Sequence, residues 1–126
     1  MVAADTNVLV RLITREDDQQ LPSAEAFVSE GVWISNIVLV EAMWVLHRTY
    51  RRDHAEIARI IRMLLGERHI ALQNVDVVRS ALDLYERHPS LGFSDCLILE
   101  IERKAGHLPL GTFDRPLGRL AGAQRL

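Results

Sequence analysis

The chain has 126 residues, of which 48% are hydrophobic and 25% charged, and its formal net charge is −2. This length and composition indicate one folded domain and exclude a mainly disordered chain. The charge argues against nucleic-acid binding by bulk positive charge, and no apolar run reaches the roughly 20 residues of a membrane-spanning helix.

In the first half of the chain, apolar spacing and capping residues predict strands that alternate with helices. We expect strands over residues 1–5 and 32–34, and helices over 7–13, 22–30, 36–50 and 54–66. The expected caps are Asp5 or Thr6, Ser35 or Asn36, and Asp53. Gly31 and Gly66 would stop the helices that precede them.

In the second half, a strand is expected over residues 69–72, followed by a helix that Asp76 caps. Ser94 or Asp95 would start another helix, which ends at Gly106, and short strands would cover 108–110 and 123–126. This alternation predicts a single α/β domain over residues 1–126 with a mostly parallel sheet. The chemistry of such folds lies at the carboxyl ends of the strands.

Cysteine content and the first residues indicate the compartment. Cys96 is the only cysteine, so an intrachain disulfide is impossible. The opening MVAADTN has no positive segment before an apolar one, so we expect no signal peptide. We therefore expect a cytoplasmic protein without membrane attachment.

Four carboxylates stand in apolar stretches of the sequence: Asp5, Glu41, Asp95 and Asp114. Glu41, for example, is the only charged residue between positions 32 and 45. Burying a carboxylate is costly unless it is paired or bound to a metal. Each acid also has a structural interpretation, because the three aspartates suit helix N-caps and Glu41 suits a solvent-facing helix edge.

The four acids are more informative together than singly. Two of them end predicted strands and two lie in or at the start of helices, so a parallel sheet would bring them to one edge. Neighbouring carboxylates raise one another's pKa, and a divalent cation relieves their repulsion. Ligands that are all oxygen suit Mg²⁺ or Mn²⁺, so the pattern favours phosphoryl chemistry at one or two metal ions.

Four segments of the chain resemble PIN-domain ribonucleases, and more narrowly the VapC toxins of bacterial toxin–antitoxin pairs. The segments are Asp5-Thr6-Asn7-Val-Leu-Val-Arg-Leu, Ser35-x-x-Val38-Leu39-x-Glu41-x-x-Trp44-Val45-Leu46, Gly92-Phe93-x-Asp95 and Thr112-Phe113-Asp114. The resemblance implies a three-layer α/β/α fold with a mostly parallel sheet of four or five strands. It also implies endonucleolytic cleavage of RNA that depends on Mg²⁺ or Mn²⁺ and uses metal-activated water.

Carried over position by position, the resemblance makes the four acids the catalytic residues and metal ligands: Asp5, Glu41, Asp95 and Asp114. Asn7 and Thr112 occupy positions that support such a site. The implied partners are RNA, a small antitoxin that blocks the cleft, operator DNA bound through that antitoxin, and a second copy of the chain.

Arg115 and Arg119 follow Asp114 closely. They suit contacts with RNA phosphates, and salt bridges to the acids are an equal alternative.

Two other functions compete with the nuclease. The first is a non-catalytic PIN-like module that acts through antitoxin or operator contacts. The second is a receiver-type signalling domain, which needs a second acid near the first strand and a lysine after a late strand. The sole lysine, Lys104, falls within a predicted helix, so the receiver interpretation is weak.

Overall fold

The structure is a computed structural model that describes residues 1–17 and 19–126. It divides into two compact units, Met1–Val75 and Asp76–Leu126. None of the helices in the described ranges combines the length and apolarity that crossing a membrane requires.

The first unit holds a three-stranded parallel sheet and four helices among the residues described. Its elements are β1 (Val2–Ala3), α1 (Thr6–Thr14), α2 (Leu21–Phe27), β2 (Val32–Ile34), α3 (Asn36–Arg48), α4 (His54–Gly66) and β3 (Ile70–Leu72). The strand order is β1-β2-β3, and Val32 lies opposite both Val2 and Ile70. Because every pairing is parallel, the carboxyl ends of these strands share one edge.

Three helices of this unit begin at the side-chain caps that the sequence predicts. Asp5, Ser35 and Asp53 each accept a hydrogen bond from the backbone N–H three residues later, at 3.0, 3.2 and 2.9 Å. Each such cap stabilises a helix start by about 1 kcal/mol. The predicted end of α2 at residue 30 is wrong, because the helix stops at Phe27 and a turn leads into Gly31 at φ +114°.

The core of the first unit is aliphatic. Its largest fully buried side chains come from α1, β2, α3 and α4, and they include Leu9, Ile34, Leu39, Leu46, Ile57, Ile61 and Leu64. The apolar spacing of these residues, which predicted the helices, therefore marks the faces that pack inward.

The second unit pairs two helices with a two-stranded parallel sheet. Its elements are α5 (Val75–Arg87), α6 (Phe93–Ala105), β4 (Leu110–Thr112), a 3-10 helix (Leu117–Arg119) and β5 (Ala123–Arg125). Tyr85 of α5 and Phe93 of α6 pack edge to face, with ring centroids 5.8 Å apart. Arg103 of α6 donates to the carbonyl of Ala121 at 2.7 Å and so ties the helix to the segment that precedes β5.

Three predicted boundaries in the second unit are wrong. Asp76 is not a cap, because α5 begins one residue earlier and the Asp76 carboxylate accepts from Lys104 at 2.8 Å. Helix α6 begins at Phe93 after Gly92, so Asp95 lies within its first turn. The strand predicted over 108–110 covers 110–112, because Pro109 has no N–H to donate and the first ladder donor is Leu110.

Six α-helices and five strands, counted over residues 1–17 and 19–126, confirm the predicted α/β class. All strand pairs are parallel, in one group of three and one of two.

Candidate functional site

Asp5 lies where the first strand gives way to the first helix. Only Ala4 separates it from β1, and its Oδ1 caps α1 by accepting from the Val8 N–H. The side chain is exposed, and the cap occupies one carboxylate oxygen. Asp5 therefore holds a helix start and still presents Oδ2 at the carboxyl edge of the sheet.

Glu41 is connected to the same helix start. It lies on α3, it is exposed, and its Oε2 accepts a hydrogen bond from the Thr6 hydroxyl at 3.1 Å. Because Thr6 adjoins Asp5 in the chain, this contact brings Glu41 to the end of α1 that Asp5 caps. The sequence predicted Thr6 only as an alternative cap, and not as a hydrogen-bond donor to Glu41.

A network of amide groups fixes the start of α3. The Asn36 N–H donates to the Gln73 side-chain oxygen at 2.8 Å, and the Asn36 side chain donates to the Gln73 carbonyl at 2.9 Å. The Asn74 side chain adds a bond to Asn36 at 3.1 Å. The helix that carries Glu41 is thereby joined to the residues that follow β3.

A pocket of about 390 Å³ lies beside Asp5 in the first unit. The described residues that line it are Asp5, Asn7, Val8, Arg11, Gln19, Gln20, Ser23, Ala24 and Phe27. The predicted supporting residue Asn7 is exposed and belongs to this lining. No sequence motif identified the pocket, because its walls come from two helices and the segment between them.

Asp95 lies in the second unit, and it is the only one of the four acids that is partly buried. Burial raises the pKa of Asp95, and the negative charge of Asp114 raises it further. In the described chain, Asp95 accepts no hydrogen bond and has no cationic partner, so its interpretation as a helix cap is wrong. Gly92 occupies the N-cap position instead.

Asp114 lies in a loop that hydrogen bonds to neighbouring residues hold in place. Its backbone N–H donates to the Thr112 hydroxyl at 3.0 Å, and its Oδ2 accepts from the Leu117 N–H at 2.8 Å. Thr112 thus supports the backbone that carries Asp114. The interpretation of Asp114 as a cap is therefore correct in part, because its carboxylate accepts a hydrogen bond from the first N–H of the 3-10 helix. The Asp114 side chain is exposed.

The apolar sequence stretches around the four acids do not bury three of them. Asp5, Glu41 and Asp114 are exposed. Apolar neighbours in the sequence do not bury these side chains, since successive residues of a helix or loop point in different directions. Asp95 is partly buried, and this burial raises its pKa.

The donor chemistry of the four acids fits a hard divalent cation. Among residues 1–17 and 19–126, the ion pairs engage other acids, and none of those seen engages Asp5, Glu41, Asp95 or Asp114. Their oxygen atoms are the ligand type that Mg²⁺ and Mn²⁺ prefer. The first unit contains two of the acids and the second contains the other two. Among the described residues, neither unit by itself groups three His, Cys, Asp or Glu side chains suitable for holding a metal.

Arg115 and Arg119 are both exposed. Within the part of the chain that is described, neither forms an ion pair, so the alternative that they are salt-bridged to the acids is not observed. Their guanidinium groups are accessible, and phosphate contact stays a prediction.

Comparison with known proteins assigns the family. A search of curated proteins returned no match. The family model described as "PIN domain" matches residues 2–123, which extends across both units. PIN domains are generally nucleases, hydrolases that typically use divalent metal ions. With nearly its whole length matched, the chain belongs to the PIN-domain family.

Proposed function

We propose that this protein is a metal-dependent endoribonuclease in which Asp5, Glu41, Asp95 and Asp114 are the catalytic acids that hold Mg²⁺ or Mn²⁺. One observation carries the proposal: the PIN model matches residues 2–123, and no ion pair of the described residues engages the four acids to which the sequence resemblance points. A non-catalytic PIN-like module would have no need to keep four carboxylates unpaired.

The residues of the chain have separable tasks in this proposal. When bound, a divalent ion supplies a water of lowered pKa and stabilises negative charge on the phosphate. Burial and the negative charge of Asp114 raise the pKa of Asp95, and a cation relieves the repulsion between the two carboxylates. Thr6 positions the Glu41 carboxylate at 3.1 Å to hold or orient a water.

We expect Arg115 and Arg119 to contact the RNA substrate. Exposed Arg115 and Arg119 offer planar donors to the phosphates of RNA. When water attacks the phosphorus and the 3′ oxygen leaves, hydrolysis gives 5′-phosphate and 3′-hydroxyl ends, which are the products we expect. Cleavage through the 2′-hydroxyl would need a general base and acid in place of the carboxylates.

We also propose that the protein is a VapC-like toxin that pairs with a small antitoxin, reaches operator DNA through it, and forms a homodimer. The exposed side of α3 supports a protein interface, because Ile37 and Trp44 lie two turns apart with 71% and 60% of their surfaces exposed. Arg48 lies 5.5 Å from the ring centre of Trp44. The aromatic Tyr50, which follows α3, is only partly exposed, and its hydroxyl accepts a hydrogen bond from Arg11 at 3.4 Å. The proposed RNA substrate implies a cytoplasmic site of action.

The experiment is cleavage of total RNA by the purified protein with Mg²⁺, with Mn²⁺ and with EDTA. The test variant is Asp95→Asn, and the matched control is Glu102→Gln, which removes one charge from the same helix. We expect discrete fragments with 5′-phosphate ends from the wild type and the control, only with metal, and none from Asp95→Asn. Equal cleavage by all three proteins, or cleavage in EDTA, would contradict the proposal.

A further inference from the structure

We infer that the pocket beside Asp5 is a binding site for a single nucleobase of a single-stranded RNA. This inference rests on the proposed ribonuclease function and goes beyond it, because it names a subsite that selects one nucleotide. The described residues that form the pocket all belong to the first unit and lie between Asp5 and Phe27. Its volume of about 390 Å³ falls in the usual range for sites that enclose small ligands.

The pocket offers an aromatic surface for stacking. Phe27, the last residue of α2, leaves 54% of its surface exposed although it lines the pocket. Val8 and Ala24 add apolar wall beside it. Proteins that bind single-stranded RNA stack unpaired bases on such exposed aromatic rings.

Apart from Asp5 and Arg11, the polar side chains of the described lining are neutral and can both donate and accept hydrogen bonds. They are three amides and a hydroxyl: Asn7, Gln19, Gln20 and Ser23. These groups match the edge of a nucleobase, which presents donors and acceptors without charge.

Arg11 makes the pocket better suited to a base than to a phosphate. Its guanidinium donates to the Gln20 side-chain oxygen at 2.9 Å, and it pairs with Asp17 at 3.5 Å. The positive charge is therefore partly neutralised, and the Asp5 carboxylate adds negative charge to the lining. Because Arg11 engages the Gln20 oxygen, the Gln20 amino group is the part of that side chain oriented as a donor.

The position of the pocket beside Asp5 links it to the choice of RNA sequence that is cleaved. Asp5 lines it and is also a proposed metal ligand. A base held there brings its own sugar and phosphate to Asp5, so the pocket selects the nucleotide next to the cleaved bond.

The test measures RNA binding in EDTA, where cleavage is absent. The probes are fluorescein-labelled single-stranded decamers of adenylate, cytidylate and uridylate, followed by fluorescence anisotropy. The variants are Phe27→Ala and Phe27→Tyr, with Met63→Ala as the matched control. Met63 lies on α4, does not line the pocket and has the same 54% exposure as Phe27. Circular dichroism checks that every variant is folded.

We expect the wild type to prefer one decamer, and Phe27→Ala to bind it about fivefold or more weakly, as loss of one base stack predicts. Phe27→Tyr retains the affinity, and Met63→Ala leaves it unchanged. An equal affinity of Phe27→Ala and Met63→Ala, or no binding of any decamer by the wild type, would overturn the inference and leave the pocket to a protein partner. Metal-dependent cleavage by the same wild-type sample keeps that failure distinct from failure of the proposed function.

Discussion

Asp5 performs two tasks that substitution can separate. Its Oδ1 caps α1 through the Val8 N–H at 3.0 Å, and its charge is proposed to bind metal. Asp5→Ala removes both, and loss of the cap lowers the free energy of unfolding by about 1 kcal/mol. For 126 residues, an unfolding entropy of about 2.1 cal/mol/K per residue converts this to a fall of about 4 °C in Tm.

Asp5→Asn keeps the cap and removes the charge. Asparagine is as good an N-cap as aspartate, so stability should fall by only a few tenths of a kcal/mol, from the lost attraction to the helix dipole. Ribonuclease activity should fall in both variants, by about 100-fold or more if the charge holds a metal whose water attacks the phosphate.

Thermal melts and RNA cleavage on the same preparations test this separation. Asp53→Ala is the control, because Asp53 caps α4 in the same way, with a 2.9 Å bond, and is not a proposed ligand. It should lose stability as Asp5→Ala does while it retains activity. The reasoning fails if Asp5→Asn melts as early as Asp5→Ala, or if Asp5→Asn cleaves RNA at the wild-type rate.

Three further predictions concern stability, reactivity and positioning. Burial and the charge of Asp114 raise the pKa of Asp95, so the contribution of Asp95 to stability falls as pH rises from 3.8 through that raised pKa. Urea unfolding in EDTA should show Asp95→Asn more stable than wild type at about pH 7 but not at about pH 4. Cys96 is fully buried and its thiol pKa is raised to about 12, so a thiol reagent should label it only after denaturation. Thr6→Val removes the bond to Glu41, which should cost less than about 1 kcal/mol of stability because the contact is exposed. In a steady-state assay the same change should lower kcat several-fold and leave KM unchanged, whereas a purely structural role would change neither.

Local signals in the sequence predicted most of the first unit. Side-chain caps at Asp5, Ser35 and Asp53 involve partners only three residues away, and the structure confirms all three helix starts. The predicted start of α6 was wrong. Gly92 occupies the N-cap position and has no side chain, so the sequence carries no polar signal there. Local chemistry is readable from sequence when both partners lie within one turn.

Contacts between distant residues could not be predicted in this way. Thr6 and Glu41 are 35 positions apart, and only the packing of α1 against α3 brings them within 3.1 Å. The pocket likewise depends on how α1 and α2 pack. The exposure of Glu41 was predicted only as an alternative, because apolar neighbours in sequence say little about which way a side chain faces.

Mn²⁺ binding measured by titration calorimetry tests the central claim most directly, because it does not require the natural RNA. The samples are wild type, Asp95→Asn and Glu102→Gln. A metal centre built on the four acids predicts saturable heat for the wild type and Glu102→Gln, and affinity at least about tenfold weaker for Asp95→Asn, equivalent to about 1.4 kcal/mol. No heat from the wild type, or equal affinity in all three proteins, would contradict the metal site and favour a non-catalytic PIN-like module.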